Sequence, residues 1–311
     1  MKVVFMGTPD FAVASLKAIH KSKHQIVGVV TATDKPSGRG KKLNSSAVKK
    51  YAQENGLTLF QPENLKKDSF KNELTRLNAD IFIVVAFRML PKTIWEIPNY
   101  GTINLHGSLL PHYRGAAPIN WAVINGESHT GVTTFIIDEK IDTGEILLQE
   151  KIKINDGDNA GIIHDKLMTL GAQLILKTID GFNENKLIPR TQISSDKTLK
   201  TAYKLNRENT KINWSESSQK IRQLVLGLSP YPSAWTTLIS NDKTYNFKIF
   251  DADINSKKLN PGSIEINKNQ FLVGTSDGSI ELKIVQLEGK KRMDTASLIN
   301  GNPFLKTSKF L

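Results

Sequence analysis

Apolar and polar positions follow two different rhythms along this chain. In the first half, short apolar runs rich in β-branched residues alternate with helical patterns. Lys2–Met6 and Gln25–Thr31 are such runs, and Asp80–Phe87 (DIFIVVAF) is apolar on both faces. A strand with no polar face belongs in the middle of a parallel sheet covered by helices on both sides. Phe11–His20, Ala47–Asn55 and Asn64–Asn78 carry apolar residues at helical spacing. The order strand, helix, strand, helix, strand predicts a doubly wound α/β domain. Gly131–Asp138 and Glu145–Ile154 predict further strands, and Asn159–Phe182 a long amphipathic helix.

The rhythm changes after a polar stretch, 183–210, which reads as a linker. Ser215–Leu228 has a serine cap and an apolar stripe, and is predicted as a helix. Then come short alternating runs at Ala234–Ile239, Thr244–Phe250, Gly262–Ile266, Gln270–Thr275 and Ser279–Leu287, separated by Asn, Asp, Gly and Lys turns. This pattern predicts a small β-rich module, most simply a barrel. The expected boundaries are 1–189 for the α/β domain, 190–210 for the linker and 211–311 for the barrel.

Composition narrows the picture. With 39% apolar residues in 311, the chain can bury a sizeable core. It has no cysteine, which excludes disulfides, zinc–thiolate sites, iron–sulfur clusters and cysteine nucleophiles. No apolar run approaches the ~20 residues of a membrane span. The run after Met1 is too short for a signal peptide. A cytoplasmic protein is expected, and with no heptad pattern a monomer. The net charge of +12 points either to generic solubility or to a polyanionic partner. Its distribution favours the partner. Residues 204–311 carry 16 basic and 10 acidic side chains, and residues 35–50 hold Lys35, Arg39, Lys41, Lys42, Lys49 and Lys50 with no acid.

Candidate chemistry is concentrated in Gly101–Pro118, GTINLHGSLLPHYRGAAP. If Thr102–His106 is a strand, Asn104 and His106 project from one face, with Ser108 next if the extension persists. Gly107 and Pro111 open the chain at the carboxyl edge, where open α/β sheets bind ligands. An Asn amide can donate to a developing oxyanion, and a nearby His can exchange a proton near neutral pH. Structural roles remain open for both, and Asp142 in Ile141–Gly144, which could orient His106 or accept a proton, reads by itself first as an Asx-turn. Gly7-Thr8-Pro9-Asp10 follows the first strand, but neither G-x-G-x-x-G nor a P-loop is present, so it is expected to be a structural turn. Of the six histidines, His20 and His24 stand four apart astride a helix end and are read as surface; no metal is expected.

The stretch INLHGSLLPHYRGAAPINWAVINGE, followed by DEKIDTGEIL, resembles the formyltetrahydrofolate-dependent formyltransferase family. GTPDFAV, the loop PSGRGKKL and the C-terminal module extend the resemblance to nearly the whole chain. It implies a Rossmann-like, mostly parallel formyltransferase domain and an OB-like C-terminal barrel. It also implies a catalytic set of Asn104, His106 and Asp142, with Ser108, Leu109, Leu110 and Pro111 in the folate-contacting loop. The implied donor is 10-formyltetrahydrofolate, and the implied acceptor is the α-amine of methionine on initiator tRNA. Asn104 would stabilise the oxyanion, His106 would handle protons, and Asp142 would orient His106 or take the amine proton. Arg39, Lys41 and Lys42 in the basic loop would contact tRNA. Lys204, Arg207, Lys211, Lys248, Lys290, Lys291 and Arg292 are candidate backbone contacts in the barrel. Arg88 is unusual where many members have a Tyr-Gly pair; it either pairs with the acidic tail of folate or points to solvent. Two alternatives stay open: a relative acting on a small sugar-nucleotide or purine-pathway amine, and a non-catalytic RNA-binding relative.

Overall fold

The computed structural model describes residues 1–37, 42–193, 199–240, 243–267 and 270–311. The chain forms two compact units. The first comprises Met1–Pro118, Thr130–Ile152 and His164–Thr201; the second comprises Ile119–His129, Lys153–Ile163 and Ala202–Leu311. The helices are α1 (Asp10–His20), α2 (Ala47–Glu54), α3 (Asp68–Arg76), α4 (Lys92–Trp95), α5 (Pro118–Ile124), α6 (Ala160–Asn183), α7 (Ser218–Leu228) and α8 (Thr295–Asn300).

The first unit is built on a seven-stranded sheet: β1 (Lys2–Gly7), β2 (Gln25–Val30), β3 (Leu59–Phe60), β4 (Ile81–Val85), β5 (Thr102–His106), β6 (His129–Ile136) and β7 (Ile146–Lys153). The strand order is β7-β6-β5-β4-β1-β2-β3. The five strands from β5 to β3 run parallel, and β6 is antiparallel to β5. The sheet is therefore mostly parallel, as the two-sided apolar runs predict. All five residues of β4 are buried. One sheet face packs Val4, Met6, Phe82 and Val84 against Phe70 and Leu74 of α3 and Ile94 of α4. On the opposite face Leu105 lies against Gly171 of α6, where a Cβ would come within 2.7 Å of it. The chain turns from β1 to β2 on one side and to β4 on the other, which makes the carboxyl ends near β1, β4 and β5 the natural ligand crevice.

Two expectations in this unit are corrected. The helix read over Asn64–Asn78 starts at Asp68, because the Asn64 side chain accepts from the Lys66 N–H (2.9 Å) and holds the preceding residues in a turn. His24 is buried rather than at the surface. Its Nδ1 lies 3.3 Å from the Met1 amino group and its Nε2 3.2 Å from Asp180. Burial first, and that neighbouring ammonium second, hold this imidazole below its usual pKa.

The second unit holds β8 (Ala234–Ser240), β9 (Lys243–Asn255), β10 (Ile264–Asn267), β11 (Gln270–Gly274), β12 (Ser279–Leu287), β13 (Met293–Asp294) and β14 (Lys309–Phe310). They pair in the order β10-β11-β12-β9-β8-β14, with β13 on β12. A bridge between Ser263 and Lys309 joins the two edges, and the Phe310 N–H donates to Gly262 O (2.9 Å), so the sheet nearly closes into a barrel. Gly262 has φ +75, and a Cβ there would stand 2.6 Å from Phe310 O, so only glycine fits this seam. In β8 buried and half-buried residues alternate along the strand, as its sequence predicts. The barrel is filled by Trp214, Phe247, Phe271 and Phe310, with the Trp214 and Phe310 rings stacked at 5.2 Å.

Candidate active site

Strand β5 places Asn104 and His106. Val84 and Phe135 flank Asn104 on the neighbouring strands, and Thr133 stands opposite His106. The period of two points both side chains to one face at the carboxyl end, away from α6. The extension does not persist to Ser108. The strand stops at His106, and the buried Ser108 hydroxyl donates to His112 O (2.8 Å).

His106 is buried, and its Nε2 lies 2.8 Å from Tyr113 O. A carbonyl can only accept, so Nε2 carries the hydrogen. The neutral ring then presents a bare Nδ1, 3.7 Å from Asp142 Oδ2. That distance exceeds a direct hydrogen bond. The orientation of the ring is thus set by Tyr113 O, while Asp142 acts on it across a gap. Asp142 Oδ2 instead accepts from the Gly115 N–H (2.9 Å). Tyr113 and Asp142 both adopt left-handed backbone, at φ +60 and +56. This conformation costs roughly 1–2 kcal/mol per non-glycine residue. Such outliers gather at functional sites, where surrounding bonds enforce them. The enforcing bonds here include Tyr113 N–H to Lys200 O (2.6 Å), and Gln192 Nε2 to Asp142 O (3.0 Å) and Gly144 O (2.7 Å). Within the Asp142-Thr143-Gly144 turn, the Thr143 hydroxyl is tied to Asp138 (2.8 Å), and a Cβ on Gly144 would stand 1.7 Å from Ile136 O.

The loop after β5 is held from behind. The Thr133 hydroxyl donates to Ser108 O (2.6 Å) and accepts from the Leu110 N–H (3.2 Å) and Gln149 Nε2 (2.9 Å); Gln149 Nε2 also reaches Leu110 O (2.9 Å). Leu110 is buried against Phe135 and Ile146. The Ser108 hydroxyl and the Leu110 side chain are thus turned inward as supports of the loop, while Leu109 and Pro111 are half-buried. Thr133→Val keeps the shape but leaves the buried Leu110 N–H without its acceptor, at a cost of about 1–3 kcal/mol. It is expected to lower Tm, which a thermal melt checks.

Arg88 is exposed, which is one of the two courses its sequence leaves open. Its guanidinium donates to Pro62 O (2.7 Å) and Glu63 O (3.2 Å) and lies 5.4 Å from the Phe87 ring, bracing the 62–63 loop. Arg39 and Lys41 lie outside the described residues, and Lys42 begins the second strand of a ribbon that pairs Lys35–Ser37 with Lys42–Asn44. The base of this ribbon is pinned by Lys49 Nζ to Asp34 (2.6 Å) and by Gln61 Nε2 to Asp34 (3.2 Å) and Ala32 O (2.8 Å). The Lys49 bond first, and the Gln61 bond second, hold the Asp34 carboxyl below its usual range. In the second unit, three of the basic candidates gather at one indole. Arg207 lies 4.0 Å from the Trp235 ring centroid, Lys211 lies 5.6 Å from it, and Lys248 is the cross-strand neighbour of Trp235. Arg292 covers Phe250 at 4.2 Å. Among the described residues no helix is long and apolar enough to cross a membrane.

Sequence reasoning missed Tyr113, Gly115, Thr133, Gln149 and Gln192. They act through backbone groups or from distant positions, and no residue pattern signals either.

With this geometry in view, comparison with known proteins is direct. Residues 1–179 match the formyl transferase family, and residues 204–303 match the formyl transferase C-terminal domain. The chain belongs to the formyl transferase family. It is 50% identical to the methionyl-tRNA formyltransferase of Flavobacterium johnsoniae, over 99% of this chain and 98% of that one. It is 47% identical to the methionyl-tRNA formyltransferase of Thermodesulfovibrio yellowstonii, over 96% and 95%. In fold it is similar to the N-formyltransferase of Helicobacter canadensis, solved with folinic acid and dTDP-3-aminofucose. That likeness has a TM-score of 0.66 at 23% identity, covering 91% of this chain and 98% of that one.

Proposed function

We infer that this chain is a methionyl-tRNA formyltransferase, moving a formyl group from 10-formyltetrahydrofolate to the α-amine of methionine on initiator tRNA. The observation that carries the reading is the row of Asn104 and His106 at the carboxyl end of β5, with Asp142 across from the bare Nδ1, in a chain similar over its full length to enzymes of that name.

The reaction forms one C–N bond and breaks another. The free amine attacks the formyl carbon, and negative charge develops on the formyl oxygen. The Asn104 amide donates to that oxygen. Nδ1 of His106 takes the proton the amine sheds and returns it to the departing donor nitrogen, so the enzyme ends as it began. Asp142, 3.7 Å away, stabilises the transient imidazolium by charge. The held loop from Ser108 to Pro111 receives the folate. The same reading assigns 1–189 to catalysis, 190–210 to a linker and 211–311 to tRNA support. Arg39, Lys41 and Lys42, with the cluster at Trp235, provide phosphate contacts, and the protein works in the cytoplasm as a monomer.

The test is formylation by purified protein of methionyl initiator tRNA, uncharged tRNA, free methionine and a sugar-nucleotide amine. Product with the charged tRNA alone is expected; product with the small amine instead overturns the acceptor assignment. Salt gives a second measure. With several phosphate contacts, KM for charged tRNA is expected to rise more than about tenfold between ~50 and ~200 mM salt, while KM for the folate donor stays nearly flat. Equal responses would remove tRNA phosphates from the binding scheme.

A further inference from the structure

We propose that Gln192 is a positioning residue for the reaction, holding the turn that presents Asp142. The proposal rests on the role given to Asp142 above. Gln192 lies in the polar stretch that reads as a linker, half-buried and next to an exposed isoleucine, Ile193. Its amide is nevertheless fully engaged. Nε2 donates one hydrogen to Asp142 O (3.0 Å) and one to Gly144 O (2.7 Å). Oε1 accepts from both Nε (3.0 Å) and Nη2 (2.6 Å) of Arg114. Two donors and two acceptor sites are all that a carboxamide has. The orientation is unambiguous, because both carbonyls can only accept and the guanidinium can only donate.

These bonds close a ring. From Arg114 the chain passes to Gly115, whose N–H donates to Asp142 Oδ2; from Asp142 O the ring returns to Gln192. The residue on the other side of Arg114 is Tyr113, whose carbonyl fixes His106 Nε2. One side chain thus grips the segment that orients His106 and the turn that carries Asp142. It sets the 3.7 Å gap between Nδ1 and Oδ2. It also helps hold Asp142 at φ +56, which an aspartate leaves when released. The backbone of Gln192 is itself anchored, because Arg190 bridges to Ile146 through N–H to O bonds of 2.9 and 2.8 Å. An Ala side chain at 192 makes none of the four bonds. A Glu side chain keeps the oxygen that Arg114 grips but sets an acceptor against the Asp142 and Gly144 carbonyls.

The experiment is a double-mutant cycle on the full chain, with kcat and both KM values read separately. Gln192→Ala and Gln192→Glu are each expected to lower kcat by about 10- to 100-fold, the scale of a ~1 Å misplacement of a catalytic group. KM for charged tRNA and for the folate donor should change little. In an Asp142→Asn background Gln192→Glu, which keeps the Arg114 grip on the His106 side, should cause no further loss beyond about twofold, because coupled residues are non-additive. A merely structural glutamine would give multiplied losses. Gln192→Glu keeps the size and the Arg114 contact, so it carries the test if Gln192→Ala does not fold. Wild-type kcat in Gln192→Glu, or losses that multiply with Asp142→Asn, overturn the proposal while leaving the role of Asp142 intact. Wild-type kcat in Asp142→Asn overturns that role and this proposal together.

Discussion

His106→Ala is expected to lose about 10²- to 10⁴-fold in kcat, the usual worth of a positioned general acid–base, while still binding both substrates. The size follows from the hydrogen-bond assignment. Nε2 is committed to Tyr113 O at 2.8 Å, which fixes the tautomer and leaves Nδ1 as the atom able to accept a proton. Both ring nitrogens are therefore specified in a residue that is only 6% exposed. His112 is nearby in sequence, but its Nδ1 is buried without a partner while its backbone carbonyl is tied to Ser108. Removing the ring also removes the partner of Tyr113 O, so some stability is lost with it, and a thermal melt separates this from chemistry. The informative comparison is the ratio of kcat loss to KM change in a folded variant. A kcat near wild type would take His106 out of the proton path and leave that role to Asp142.

Sequence reasoning reached this site through one strand. The period of two in Thr102–His106 sufficed to place Asn104 and His106 side by side, and the double-sided apolar run at Ile81–Val85 sufficed to put a parallel strand next to them. What it could not supply is anything that depends on chain segments meeting. Gln192 and Arg114 are 78 positions apart, and Gln192 and Asp142 are 50 apart. No local pattern encodes such pairs, and a polar stretch with a proline reads as linker whether or not one of its side chains is engaged. The barrel shows the same division. Its alternating strands were legible, yet β9 runs five residues past the predicted Phe250 because register shifts near Asp251 absorb a segment, Asp-Ala-Asp, whose composition suggests a turn. Its seam is made by Lys309–Phe310, two residues too short to carry any period, and helices α5 and α8 were likewise too brief to be foreseen.

Asn104→Val separates catalysis from folding in a way that no supporting residue can. Asn104 occupies a central strand between Val84 and Phe135, in surroundings that favour a β-branched side chain. Among the described residues nothing hydrogen-bonds its amide, so the protein carries an unspent polar group between two apolar cross-strand neighbours. Valine there should pack better and release that group, so Tm should hold or rise. Activity should move the other way. Loss of one amide donor to a developing oxyanion costs about 3–4 kcal/mol, or roughly 10²- to 10³-fold in kcat. KM for the donor should change far less, because the ground-state formyl oxygen carries little charge. Asn104→Asp sharpens the argument, since a carboxylate would face the developing negative charge and should be at least as damaging despite its similar size. A variant with raised Tm and lost kcat is the stability–activity trade expected where a polar residue is kept for chemistry. If Asn104→Val instead lost both stability and activity in step, or kept its kcat, Asn104 would be a packing residue and oxyanion stabilisation would have to come from backbone N–H groups of the loop after His106.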